Sequence, residues 1–146
     1  MTIRASIDCV LARNTGNYAG PAWSTMSNVK DVSVTRGKSM SEATTREDGG
    51  VKTFIGTTRE FSIDFEMNAD DADPHYVAME DSFFNRTPVD VLMLRGPNTS
   101  GVKGSRLQME VSQFDEAQDL EGHPVVSVSL VVAKTANPAV QRYTVP

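Results

Sequence analysis

The side chains able to do chemistry are few and dispersed. His75 and His123 are the only histidines, and neither sits at the ligand spacing a catalytic zinc needs. Both read as solvated surface residues. Asn68, Asp70, Asp71 and Asp73 make an acidic knot but lack the central glycine of a calcium loop. Helix capping accounts for them instead. Gly96 to Ser105 superficially resembles a phosphate cradle. It lacks the adjacent Gly-Lys-Ser/Thr and leads into a strand, so it reads as a hairpin turn. Cys9 is the sole cysteine, which excludes an internal disulfide; with no histidine near it in sequence, it reads as a small buried side chain. No Gly-x-Ser-x-Gly elbow is present, and Glu80-Asp81 reads as a solvated helix face. The Asn98-Thr99-Ser100 sequon has no meaning without a secretion signal, and Met1 to Ser6 contains none. These residues point away from an enzyme, and no metal or cofactor is expected.

The elements that position the chain are mostly strands. Phe61, Ile63, Phe65 and Met67 alternate with Glu60, Ser62, Asp64 and Glu66, the pattern of a strand dry on one face and wet on the other. Val32 and Val34 alternate with Asp31, Ser33 and Thr35. Leu107, Met109 and Val111 alternate with Gln108, Glu110 and Ser112. Val125 to Val132 is β-branched, Val89 to Arg95 is short and apolar, and Ile3, Ala5, Ile7, Cys9 and Leu11 alternate more weakly. One helix is expected at about 73–85. Asp73 caps it, Pro74 takes its first position, Tyr76, Met79 and Phe83 form its apolar stripe with Phe84 beside them, and Pro88 follows its end. The polar stretch Gly37 to Gly56 is an extended hairpin arm or a mobile loop. The tail after Ala133 reads as an extended arm. The fold class is therefore mainly β, a sandwich or small barrel with one flanking helix, in a single domain.

Bulk properties agree. A chain of 146 residues suits one domain with a proper core. A net charge of −5 suits neither phosphate gripping nor an anionic membrane surface. No apolar run approaches the ~20 residues of a membrane span.

The organisation resembles the major tail tube proteins of long-tailed phages, most densely from Trp23 to Phe84. Trp23 is followed by Asn28 to Val34, then by Ala43-Thr44-Thr45-Arg46 with Gly49-Gly50, then by Phe54-Ile55-Gly56 on the return. The amphipathic strand to Met67, the Asp-rich helix start, and the strands at Leu107 to Val111 and Val126 to Val132 follow in order. The stretches before Trp23 and after Ala133 carry little of the likeness.

The resemblance implies a β-sandwich-like tube fold and hexameric rings stacked into a hollow tube with a continuous β-barrel wall. It implies a structural role in a virion tail, assembled in the bacterial host cytoplasm, with passage of double-stranded DNA during ejection. Self-contacts and tape measure, terminator and distal tail proteins would be its partners, and phage-like particles or gene transfer agents its equivalent settings. The arm Gly37–Gly56, with Thr44, Thr45, Arg46, Gly49, Gly50 and Phe54, would reach a neighbouring subunit or the next ring, and the terminal arms could do likewise. A duplex carries one negative charge per ~1.7 Å of axis, so a bore must not be basic. Glu60, Ser62, Asp64, Glu66 and Glu110 are the residues expected to line it, with Gln108 and Ser112, and Asp31, Ser33 and Thr35, able to continue the face. The competing classes are another tail component, such as a terminator or connector, and a monomeric β-sandwich binding module. For the module only Tyr18, Trp23 and Tyr143 are available, scattered along the sequence.

Overall fold

A computed structural model describes residue 5 and residues 9–146. Eight strands and one α-helix run in the order β1 (Leu11–Asn14), β2 (Trp23–Thr25), β3 (Val29–Glu42), β4 (Phe54–Asn68), α1 (Pro74–Asn85), β5 (Val89–Leu94), β6 (Lys103–Ala117), β7 (Val125–Val132) and β8 (Val140–Thr144). The strands form one antiparallel sheet ordered β2-β1-β5-β6-β7-β4-β3, with β8 on β6. Leu11 of β1 and Val29 of β3 lie near opposite ends of that order yet pack in the same core. The sheet is thus folded over on itself. The long β6 is the crease: Gly104 to Met109 pairs with β5, and Met109 to Ala117 pairs with β7.

Alternation explains the outer strands. Ile63, Phe65 and Met67 of β4 are buried against Val126, Val128 and Leu130 of β7. Burying each such side chain contributes about 1.5–3 kcal/mol. β5 does not alternate, because both its faces are covered. Val89 and Val91 enter the main core, while Leu92 and Leu94 join Ala12 and Val102 in a second cluster on the other side.

The helix begins at Asp73, whose Oδ1 accepts from the backbone N–H of His75 at 3.0 Å, with Pro74 in its first turn. Arg86 ends it in the left-handed region, φ 57°. The helix buries Tyr76, Met79 and Ser82, whereas Phe83 and Phe84 are exposed. The expected apolar stripe therefore stops one turn early. Ser82 takes the inward position because its hydroxyl donates to Thr87 O (2.6 Å) and accepts from Val111 N–H (3.4 Å).

Other expectations are corrected. Cys9 is exposed rather than buried, and β1 starts only at Leu11; the alternation at Ile3 and Ile7 lies outside the described residues. The tail after Ala133 returns as β8, pairing Val140 to Thr144 with Leu107 to Lys103. It is sheet, not a free arm.

Gly104 fixes the β5–β6 hairpin. A Cβ there would collide with the Met93 carbonyl oxygen, a contact that backbone cannot relieve cheaply. Gly104→Ala should destabilise the fold by roughly 2 kcal/mol or more, as overpacking at a fixed backbone does. A urea midpoint equal to wild type would contradict the close approach.

Candidate functional site

β3, β4, β7 and the C-terminal half of β6 form a four-stranded wall whose inner side chains are core. Register places the outer ones. Glu60 stands opposite Gly37, and Ser62 lies between Thr35 and Val131. Asp64 lies between Ser33 and Ser129, and Glu66 between Lys30 and Ser127. Val131 in turn faces Glu110, and Ser127 faces Asp115. Glu60, Ser62, Asp64, Glu66 and Glu110 thus share one face. The Ser129 hydroxyl donates to Asp64 at 2.6 Å, which ties one carboxylate across to the neighbouring strand. Lys30 is a cation placed among these carboxylates, across from Glu66.

Two details of the face depart from the sequence pattern. Asp115 follows a bulge between Val111 and Gln113 that breaks the alternation, so the pattern read along the chain ends at Ser112 and misses this acid. Gln108, expected to extend the face, is buried instead, because it pairs with Asp90 of β5 on the other side of the crease. Asp31 does join the face, from a bulge of β3 with φ 54°, a left-handed conformation that Asp tolerates, beside Asp64 and Glu66. Among the described residues no group of His, Cys, Asp and Glu is placed to hold a metal ion. The face is wet and acidic, suited to repelling phosphates.

Both edges of the wall are unpaired among the described residues. Among the described residues β3 pairs only with β4, and residues 110–117 of β6 pair only with β7. Beyond the wall, β3 and β4 continue together as a two-stranded ribbon to the pair Glu42–Phe54. Its tip is ordered by side chains. Thr45 caps a short 3-10 turn, Arg46–Asp48, and the Asp48 carboxylate accepts from Thr45 N–H (2.7 Å) and the Thr53 hydroxyl (3.1 Å). The Thr45 backbone bond, then the Thr53 bond, hold the Asp48 carboxyl below its ordinary range. Thr44 Oγ1 accepts from Thr53 N–H at 3.0 Å. Gly49 and Gly50 follow at φ 64° and 85°, conformations that favour glycine. Phe54 is exposed at the ribbon's end.

On the opposite side of the molecule lies an arrangement the sequence does not announce. Arg106 is only 5% exposed. Its Nε donates to Asp90 at 3.1 Å, its Nη2 reaches the same carboxylate at 2.5 Å, and it donates to the Tyr18 carbonyl at 2.9 Å. Its guanidinium carbon lies 3.8 Å from the Tyr18 ring centroid, 5.1 Å from Trp23 and 6.0 Å from Tyr143. Burial pulls its pKa down, but the bonds and charge of Asp90 outweigh this and the net shift is upward. The aromatics that lie scattered in the sequence are therefore gathered, and the cage they form is filled by the chain's own cation. A ligand-binding module would need those rings free.

His75 is also not a surface residue. It is 6% exposed, its Nδ1 accepts from Arg13 Nε at 3.1 Å, and its Nε2 lies 3.2 Å from the Ser24 hydroxyl. Bonding on both sides lets the helix start clamp β1 to β2. His123 does stand exposed, 2.8 Å from Asn68 Oδ1. Burial first, then the Arg13 charge, lower the His75 pKa, against a weaker opposing pull from Asp73 and the Thr25 backbone. With the folded value below the unfolded one, about 6.5, the unfolded chain takes up a proton first as pH falls. Stability should therefore be full above that value and decline from about pH 6.5 downward. Urea midpoints between about pH 7.5 and 5 should show this slope, and His75→Gln should flatten it. An unchanged slope in the variant would assign the effect elsewhere.

Comparison with known proteins places this architecture. No curated protein matches the sequence. The fold is similar to a chain in the tail of an empty gene transfer agent particle (C6 symmetry), with TM-score 0.71 at 14% identity, covering 90% of this chain and 96% of that one. It is similar to the SPP1 tail tube, with TM-score 0.73 at 12% identity, covering 98% and 80%. It is also similar to a chain of the anti-feeding prophage baseplate, with TM-score 0.65 at 11% identity, covering 99% and 98%. Residues 4–135, a span that takes in the stretch before Trp23 and every strand except β8, match the phage tail tube protein model, and the chain belongs to that family as a structural subunit of the virion tail.

Proposed function

We propose that six copies close into a ring, that rings stack into a tube, and that the acidic wall becomes the surface of the bore. The observation that carries this reading is a four-stranded face bearing Glu60, Ser62, Asp64, Glu66 and Glu110 between two unpaired edges. An even number of alternating strands leaves the edge of β6 antiparallel to the β3 edge of a second copy. Head-to-tail pairing of those edges continues the sheet, and closes it when the rotation closes. The C6 symmetry of the similar gene transfer agent tail supports six as the ring number.

The bore then conducts double-stranded DNA during ejection without gripping it, since repulsion between like charges leaves the duplex free to slide. Thr44, Thr45, Arg46, Gly49, Gly50 and Phe54 at the ribbon tip reach a neighbouring copy, and tape measure, terminator and distal tail proteins meet the tube inside and at its ends. Assembly takes place in the host cytoplasm.

Negative-stain images of the concentrated protein should show six-fold rings and tubes. A protein that stays monomeric at every concentration would overturn the reading. Rings that never elongate would move it to a terminator or connector.

A further inference from the structure

We infer that the ribbon of one copy seats on helix α1 of another, an inference that rests on the assembly reading and names the receiving surface. Among the described residues, two groups of large apolar side chains stand exposed. One is on the ribbon, where Met40, Phe54 and Ile55 are exposed. Register puts Met40 and Phe54 on one side and Ile55 on the other, because Met40 pairs with Gly56, Ser41 with Ile55 and Glu42 with Phe54. The other is on α1, where Val77, Phe83 and Phe84 face outward and Phe84 is 70% exposed. Phe83 stacks on Phe114 of β6 and edges onto Phe84, so the aromatic surface is continuous with the unpaired β6 edge.

Charge selects the match. Residues 36–59 carry five Lys/Arg against three Asp/Glu in a chain whose net charge is −5. Residues 70–86, which include α1, carry five Asp/Glu against one Arg. Lys38 and Lys52 of the ribbon would meet Glu80 and Asp81, which lie between Val77 and Phe83 on the helix. The helix packs on β5 and β6 of its own chain and leaves Phe84 open, and the basic, apolar ribbon that complements it belongs to a second copy. Docking places the Met40–Phe54 side against the aromatics, with the tip pre-shaped by the Asp48 bonds so that little ordering remains to be done.

The test replaces Phe54 with benzoylphenylalanine, an exposed position where the larger ring leaves the core untouched, and irradiates assembled tubes. A covalent dimer whose cross-linked peptide contains residues 77–84 is expected. Phe84→Asp should raise the concentration needed for assembly by roughly tenfold or more, with circular dichroism unchanged. Tubes that cross-link elsewhere, together with an unaffected Phe84→Asp variant, would overturn the docking and leave the assembly reading standing. Wild-type protein that forms no rings or tubes would overturn both.

Discussion

Asp90→Ala should lower the unfolding free energy of the isolated subunit by roughly 3 kcal/mol, the lower end of the cost of stripping a buried charge of its partner. The guanidinium of Arg106 is buried, and among the described residues it receives its counter-charge from Asp90 alone. Removing that carboxylate leaves a desolvated cation, and it also takes one of the two acceptors of the Asn14 amide, which donates to Asp90 at 3.0 Å and keeps only the Asn17 carbonyl. The rings of Tyr18, Trp23 and Tyr143 remain, each able to return about 0.5–2 kcal/mol, which is why the lower end of the range applies. The control follows from the same argument. In Asp90→Ala/Arg106→Met no charge is stranded and the aromatic box receives an apolar occupant, so most of the stability should return. Urea midpoints in dilute solution measure both. An Asp90→Ala loss below about 1 kcal/mol, within the range of exposed pairs, would mean that water reaches Arg106 and the cage is not a buried unit.

That cage marks where sequence reasoning stops. Tyr18, Trp23, Asp90, Arg106 and Tyr143 sit on or beside strands that meet only once β5 and β8 flank β6. No spacing along the chain records that meeting. What period two records is local: Ile63, Phe65 and Met67 are buried while Asp64 and Glu66 face out, and that much was legible. The helix was legible too, to within a residue of Pro74–Asn85, because Asp73 and Pro74 act on their own neighbours. Its buried stripe was less so. Phe83 is the natural core residue by apolarity, but β6 needs a hydrogen-bond partner at Val111, and Ser82 supplies one. His75 departs from expectation for the same reason, since a polar residue is dry here only because Arg13 and Ser24 arrive from β1 and β2. The bulge in β6 hid Asp115 by shifting the very periodicity used to find such residues.

Asp64→Lys/Glu66→Lys should leave tube formation intact but turn the proposed conduit into a brake. Neither side chain enters the core, and each faces small polar neighbours, Ser33 and Ser129 for Asp64 and Ser127 for Glu66. The cost to the fold should therefore stay within the range of surface changes, about 0.5 kcal/mol per site. To this are added the lost Ser129–Asp64 bond and the repulsion between Lys30 and the cation introduced opposite it at position 66. The effect on DNA should be far larger, because the substitution recurs in every copy around and along the bore. Each phosphate neutralised by a lysine releases counterions and adds to a binding constant that falls steeply with salt. DNA release from particles carrying the variant should slow by at least about tenfold at low salt and recover as salt rises, a dependence that a merely misassembled tube would not produce. Placement of the wall is tested separately by Asp64→Cys in a Cys9→Ser background. A bulky maleimide should label the dilute subunit and be excluded from assembled tubes. If the assembled tubes label as fast as the subunit, and the double variant passes DNA at the wild-type rate in low salt, then this face points outward and the acidic wall has another purpose.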